Sequence, residues 1–145
     1  MRLTLYSDYS LRLLMYVALK PNELVLMSDV AEAYGISKNH LTKITHRLAL
    51  AGFLETVRGR NGGLRLAKSA RDINVGTVVR LTEAESVLVE CCDPATNTCV
   101  ITRVCQLKHI LLGALEDFYK RLDQSTLADL VASPASLLAL FPKRS

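Results

Sequence analysis

Two short helical patterns split by a glycine, then a basic glycine-rich turn, occupy positions 28–66, and this succession constrains the fold more than anything else in the chain. Ser28 is placed to cap a helix that turns Val30, Ala31 and Tyr34 inward. Gly35 supplies the left-handed residue that stops it. Ile36 plugs the corner, and Ser37 caps a third helix with Leu41, Ile44, Leu48 and Ala51 on its buried stripe, ended by Gly52. Helix, glycine turn and capped helix at this spacing define a helix-turn-helix. Phe53 to Val57 and Leu64-Arg65-Leu66 then read as two strands around Arg58-Gly59-Arg60-Asn61-Gly62-Gly63, with Asn61-Gly62 as the turn signal. A hairpin there adds a wing.

The charge distribution says what such a unit would meet. Net charge is only +4, but positions 36–71 hold eight Lys/Arg against one acid, Glu55, leaving ten bases and thirteen acids elsewhere. A basic segment on a mildly acidic body is the footprint of a polyanion-binding protein. The outward face of the third helix carries Lys38, Asn39, His40, Thr42, Lys43, His46 and Arg47 without an acid, whereas an inert solvated face would mix the two. Lys can reach guanine and Asn can pair with adenine from the start of a recognition helix. The expected DNA contacts are therefore Ser37, Lys38, Asn39, His40, Lys43 and Arg47. In the wing, Arg58, Arg60, Asn61 and Arg65 are placed for phosphates or a minor groove.

Outside this unit the pattern is mainly α-helical, as the lack of Trp and 6% aromatic content also favour. A first helix is predicted from about Ser7 to Lys20, stopping at Pro21-Asn22, and a short one over Val75 to Leu81. Periodicity is lost from Thr82 to Val104. Leu107, Ile110, Leu111, Ala114, Leu115, Phe118 and Leu122 then form a long apolar stripe, followed by a short helix around Thr126 to Val131 and an irregular tail. The expected division is a DNA-binding domain over 1–81, a loop over 82–105, and a dimerisation helix with its tail over 106–145. The stripe can pack on its own domain, but pairing with its copy in a homodimer also suits two DNA half-sites. The apolar run at 11–19 is too short for a bilayer and is broken by Arg12, so no membrane and a cytoplasmic location are expected.

In that setting cysteines are more often metal ligands or redox groups than structural disulfides. The spacing Cys92-x6-Cys99-x5-Cys105 is wider than the pairs that fix a zinc tetrahedron. Iron–sulfur clusters accept such loops, because each thiolate binds a different corner. Vicinal side chains diverge, so one of Cys91 and Cys92 is a spare. The competing reading is of thiols buried as small hydrophobes or forming a switchable disulfide. Enzyme chemistry finds no support: there is no Walker loop, HExxH or Ser/His/Asp arrangement, and His40, His46 and His109 fall on helices.

The run Ser37-Lys38-Asn39-His40-Leu41-x-Lys43, the wing Val57 to Gly63, and three cysteines before Leu107-Lys108 together resemble the NsrR/IscR family of winged-helix iron–sulfur repressors. The likeness covers nearly the whole chain, including Thr126-Leu127-Ala128-Asp129-Leu130. It implies a homodimer with one cluster per subunit, held near the dimer helix and coupled to operator DNA. IscR-like members place a histidine three residues after the last cysteine, where this chain has Lys108, so Cys105-Gln106-Leu107-Lys108 lies closer to the nitric-oxide-responsive NsrR branch. That branch implies a [4Fe–4S] rather than a [2Fe–2S] cluster on Cys92, Cys99 and Cys105, with Cys92 preferred to Cys91. Asp8, in Tyr6-Ser7-Asp8-Tyr9, is the candidate fourth ligand, supplied across the dimer; otherwise it is a first-turn acid favouring the helix dipole. The function implied is a repressor that binds its operator with the cluster intact and releases it on nitrosylation by nitric oxide. A cluster-status or redox regulator of the same fold and a metal-free thiol switch are the rivals.

Overall fold

The computed structural model describes residues 2–142 of the 145-residue chain. The ends of the first and third segments, residue 1 and residues 143–145, lie outside the described residues. Helices α1 (Leu5–Ala18), α2 (Met27–Tyr34) and α3 (Lys38–Leu50) lead into an antiparallel hairpin, β1 (Leu54–Val57) with β2 (Gly63–Leu66). A 3-10 turn at Ala70–Asp72 precedes α4 (Val75–Thr82). After an irregular stretch containing a 3-10 turn at Glu90–Cys92 come α5 (Gln106–Asp123), α6 (Leu127–Leu130) and α7 (Pro134–Leu138).

The core forms where α1 crosses α3 and α4. Leu13 and Leu14 of α1, Leu41, Ile44 and Leu48 of α3, and Val78 of α4 are all fully buried. Each such side chain stabilises the fold by roughly 1.5–3 kcal/mol relative to exposure. The helical spacing of 41, 44 and 48 puts all three on one stripe, which leaves the polar residues between them on the opposite face. Ser37 caps α3 by accepting from the His40 N–H at 3.3 Å, and Gly35 ends α2 at φ 64°. Ile36 is buried in the corner between them. The helix-turn-helix is as the sequence predicts.

Several boundaries differ, each for a local reason. α1 starts earlier than Ser7, because Thr4 caps it by accepting from the Ser7 N–H at 3.2 Å. Ser28 is not a cap: α2 starts at Met27 after Leu26, without a side-chain cap bond. Val25 pairs with Leu64 as an isolated bridge (N–O 2.9 and 2.8 Å), which fixes where extended backbone ends and pulls Ser28 into the first turn. Ala51 is exposed as the C-cap residue of α3 rather than buried on its stripe.

In the wing, Leu54 pairs with Leu66 and Val57 with Gly63, leaving a five-residue connection. Asn61-Gly62 is not a type I′ hairpin turn, which would need positive φ at both positions, and neither residue has it. The left-handed residue is Gly59, at φ 110°, and the Gly62 N–H closes back on its carbonyl at 3.0 Å. The longer connection carries Arg58, Arg60 and Asn61 outward together.

The C-terminal segment returns to the first domain. The Val75 N–H donates to the Ser125 carbonyl at 3.0 Å and the Leu127 N–H to that of Ile73 at 2.8 Å, while the Leu127 side chain is buried in the main core. Thr126 and Asp129 form a reciprocal capping box at the start of α6. The tail is not irregular: Pro134, suited to a first helical turn, opens α7. Beyond it, Phe141 stacks edge-on against Tyr16 and Tyr34, 5.2 Å from each ring.

Against this closed unit, α5 stands apart. It contributes no buried residue; Leu107 is 61% exposed and Ile110 67%. Its C-terminal end is tied to α4 by a two-pronged Arg80–Asp123 ion pair, at 2.6 and 2.7 Å. No helix among the described residues is long and apolar enough to cross a membrane.

Candidate nucleic-acid interface and cysteine loop

The first turns of α3 and the wing tip supply the exposed basic surface. Ser37, Lys38, Asn39, His40 and Lys43 are all exposed at the start of α3. Among the described residues the side chains of Lys38, Asn39 and Lys43 take no hydrogen bond or ion pair, nor do those of Arg58, Arg60 and Asn61. Six polar side chains are thus free to meet a partner without breaking an internal bond. The His40 ring lies 6.1 Å from that of Tyr9 on α1, which sets its direction.

Two of the expected contacts are engaged elsewhere. Arg65 grips Glu55 across the hairpin with two hydrogen bonds, at 2.8 and 3.0 Å. That grip holds the Glu55 carboxyl below its ordinary pKa through the hydrogen bond first and the charge second. Arg47 turns into the protein: it donates to the Leu81 carbonyl at 2.9 Å, approaches Glu85 at 3.7 Å, and lies 5.7 Å above the Tyr6 ring.

Sequence reasoning missed a buried carboxylate in the same stretch, two residues beyond the Leu81 carbonyl that Arg47 holds. Glu83 is 9% exposed, and one of its oxygens accepts from the Thr4 N–H (2.8 Å), the Thr4 hydroxyl (2.7 Å) and the Ser7 hydroxyl. Its other oxygen accepts from Ser86 at 2.6 Å. Burial pushes its pKa up, but the bonds from Ser7, Ser86 and Thr4 outweigh burial and hold it below the ordinary value. A signal existed in Thr4-Leu5-Tyr6-Ser7, which has the N-cap of a capping box but a serine where Glu or Gln would reach back. The missing acid comes from 79 residues further along the chain.

The cysteine loop is built from its own turns. Asp93 accepts from the Ala95 N–H and the Thr96 hydroxyl, at 2.9 and 2.8 Å. Asn97 accepts from the Cys99 N–H at 3.0 Å, and Glu90 from the Thr98 N–H and hydroxyl at 3.1 and 2.9 Å. Cys105 caps α5, its sulfur accepting from the Lys108 N–H at 3.4 Å. Cys91, Cys92, Cys99 and Cys105 are all free and partly buried. Burial pushes the Cys91 thiol up, Cys92, Cys105 and Cys99 add to the rise, and the Lys108 ammonium opposes it. Val100 (96% exposed), Ile101 and Val104 project from the same loop into solvent.

Among the described residues no three His, Cys, Asp or Glu side chains are gathered closely enough to hold a metal ion. Asp8 is held on α1 by Arg12, at 2.9 Å through each oxygen. The donor set nevertheless suits an iron–sulfur group in kind. It offers thiols on a stretch, 91–105, whose side-chain hydrogen bonds are short-range, so the sulfurs can be drawn together without unpacking the core.

An exposed basic helix beside a basic wing is the arrangement of a DNA-binding transcriptional regulator of the winged-helix class. A family model described as "Iron-dependent Transcriptional regulator", Rrf2, matches residues 3–133. The chain belongs to the Rrf2 family of transcriptional regulators and is not an enzyme. It is 50% identical over 141 residues to the HTH-type transcriptional regulator NsrR of Halalkalibacterium halodurans, covering 97% of each chain. It is 49% identical, with the same coverage, to the NsrR of Bacillus subtilis. Among solved structures, the oxidized form of Staphylococcus aureus CymR aligns with TM-score 0.70 and 27% identity, covering 90% of this chain and 95% of that one. IscR of T. potens aligns with TM-score 0.73 over 99% of this chain and 94% of that one, and at 22% identity it supports the fold alone.

Proposed function

We propose that the protein is a cytoplasmic, homodimeric iron–sulfur repressor that holds double-stranded operator DNA while its cluster is intact and releases it in response to nitric oxide. The observation that carries this reading is the junction at Cys105. There the last thiol of the loop caps a helix whose apolar stripe has no fully buried residue and whose first turns leave Leu107 and Ile110 in solvent. Anything that rearranges the loop moves the start of α5, and a dimer built on α5 sets the distance between two recognition helices. Residues 1–81 then serve as the DNA reader, 82–105 as the cluster loop and 106–145 as the dimerisation helix with its tail, of which Leu127 and Phe141 pack back on the reader. The nearly full-length likeness to NsrR regulators and the iron dependence in the family description support the same assignment.

Cys92, Cys99 and Cys105 would hold the cluster, [4Fe–4S] in preference to [2Fe–2S], with Asp8 of the opposite subunit completing the set. When bound, the cluster supplies iron that takes nitric oxide as a strong ligand at the expense of weaker protein ligands. Asp8 is suited to be the weakest, because Arg12 competes for its carboxylate. Lys38, Asn39, Lys43 and His40 would read or flank base edges, Ser37 would meet the backbone, and Arg58, Arg60 and Asn61 would follow the wing along phosphates. A coupling of a few kcal/mol between loop and DNA changes affinity roughly a hundredfold.

The test is anaerobic purification with iron, sulfide and visible spectrum measured, followed by nitric oxide titration against operator binding. We expect about four irons per subunit for a [4Fe–4S] centre and a loss of affinity with the protein still folded. Unchanged affinity after nitric oxide sinks the mechanism. Cys92→Ser should lose iron where Cys91→Ser keeps it.

A further inference from the structure

The start of α1, the end of α3 and the entry to the cysteine loop meet around residues 81–86. Glu83 fastens the loop entry to the cap of α1 through Thr4 and Ser7, and one turn later the Asp8 N–H bonds the Thr4 carbonyl at 3.1 Å. Arg47 fastens the end of α3 to the same short stretch, through the Leu81 carbonyl and Glu85. Its position on α3 is one turn beyond Lys43, so the basic face stops and the helix turns its next cation inward. We propose that Glu83 and Arg47 are positioning residues that pass the state of the cysteine loop to the recognition helix, a role that rests on the iron-dependent reading above.

The chemistry favours a link over two unrelated contacts. A carboxylate with four donors on it resists displacement, since losing any one leaves a largely buried charge short of a partner. An arginine that donates to a carbonyl in the last turn of α4 satisfies a group the helix leaves open. A shift of residues 83–86 therefore moves the α1 cap and the last turn of α3 together. Arg47 as a simple phosphate contact would need its guanidinium withdrawn from Leu81 and Tyr6 first. Tyr6, one residue before Ser7, lies under that guanidinium and closes the circuit.

The experiment uses the full-length protein, parent, Glu83→Gln, Arg47→Gln and the double variant, each with iron retained and after removal by a chelator. Operator affinity is measured across a salt series. The link predicts that either single variant narrows the ratio of iron-retained to iron-free affinity by about tenfold. It also predicts an unchanged salt slope and no further narrowing in the double variant. A phosphate contact instead predicts equal weakening of both forms and a slope smaller by about one, and that result overturns the proposal, as does an unchanged ratio. Arg47 is partly exposed, so its variant stays informative if Glu83→Gln folds poorly.

A parent with no iron-dependent difference refutes the repressor mechanism, not the link. Hydrogen exchange on the iron-free protein then decides. Faster exchange at Ala49–Phe53 as well as Thr4–Asp8 in Glu83→Gln supports the link, and a change confined to Thr4–Asp8 overturns it.

Discussion

The DNA-reading half and the α5 half solve the same problem in opposite ways. In the first, Leu13, Leu41, Ile44 and Leu48 close on one another within a single chain. In the second, Leu107 and Ile110 stay in solvent although their helix is eighteen residues long, and Val100 and Val104 of the preceding loop stay there with them. An isolated helix of that length is marginal in water without a packed face. The difference teaches that one half closes its apolar surface within the chain, with Leu127 from beyond α5 helping to fill it, while the other leaves Leu107 and Ile110 uncovered.

The sharpest way to break that contrast is to damage both halves and follow urea unfolding at several protein concentrations. Leu41→Ala should cost about 2–5 kcal/mol at every concentration, from lost burial and the cavity left behind. Ile110→Asp should instead convert the dimer to monomer in sedimentation and abolish the dependence of the midpoint on concentration. If Ile110→Asp leaves the assembly intact, α5 is not the dimer element. Next in size is the wing. Replacing Arg58 and Arg60 together with alanine should lower operator affinity at all sequences and reduce the salt slope by about two. The same change should leave unfolding untouched, since neither side chain has an internal partner among the described residues.

The reading half was legible because its signals are local. Gly35 ends α2 and Ser37 starts α3 within three positions, and 41, 44 and 48 repeat at helical spacing, so periodicity and these caps sufficed. Where a distant residue intervenes, legibility failed. The bridge from Val25 to Leu64 displaced the expected cap at Ser28, and Glu83 completed the cap of α1 from the far side of the domain. The wing shows an intermediate case: the hairpin was readable, but which glycine turns it depended on register, and Gly59 took that role from Asn61-Gly62. The candidate site divides likewise. Exposure of the α3 face follows from spacing, whereas the inward turn of Arg47 needed the position of Leu81.

Ser37→Ala tests the local half more finely. Removing the hydroxyl that accepts the His40 N–H should cost about 1 kcal/mol, read as a lower urea midpoint with unchanged slope. Glu83 adds a pH dependence with a definite sign. Its pKa is lowered in the folded protein, so the unfolded chain binds the proton more readily. The stabilisation is complete above the unfolded value, about 4.3, and is lost as pH falls through the lower folded one. The stability gap between parent and Glu83→Gln should therefore be constant near neutrality and close on acidification. A gap that widens below pH ~4 would mean the carboxylate is not the stabilised form.

The smallest effect belongs to the seam between the two halves. Arg80 holds the Asp123 carboxyl below its ordinary pKa, chiefly through the hydrogen bond, and its guanidinium also lies 4.6 Å above the Tyr119 ring. Both partners of the ion pair are well exposed, so solvent and salt screen most of its energy. Asp123→Asn should barely move the unfolding midpoint of the first half. Its consequence should appear instead in hydrogen exchange along the last turn of α5, because that pair, with the Asn74 amide on the Asp123 carbonyl at 2.7 Å, tethers a helix the core does not hold. A large loss of global stability from so exposed a pair would show that α5 is part of the monomer's cooperative core, and the contrast between the halves would fail.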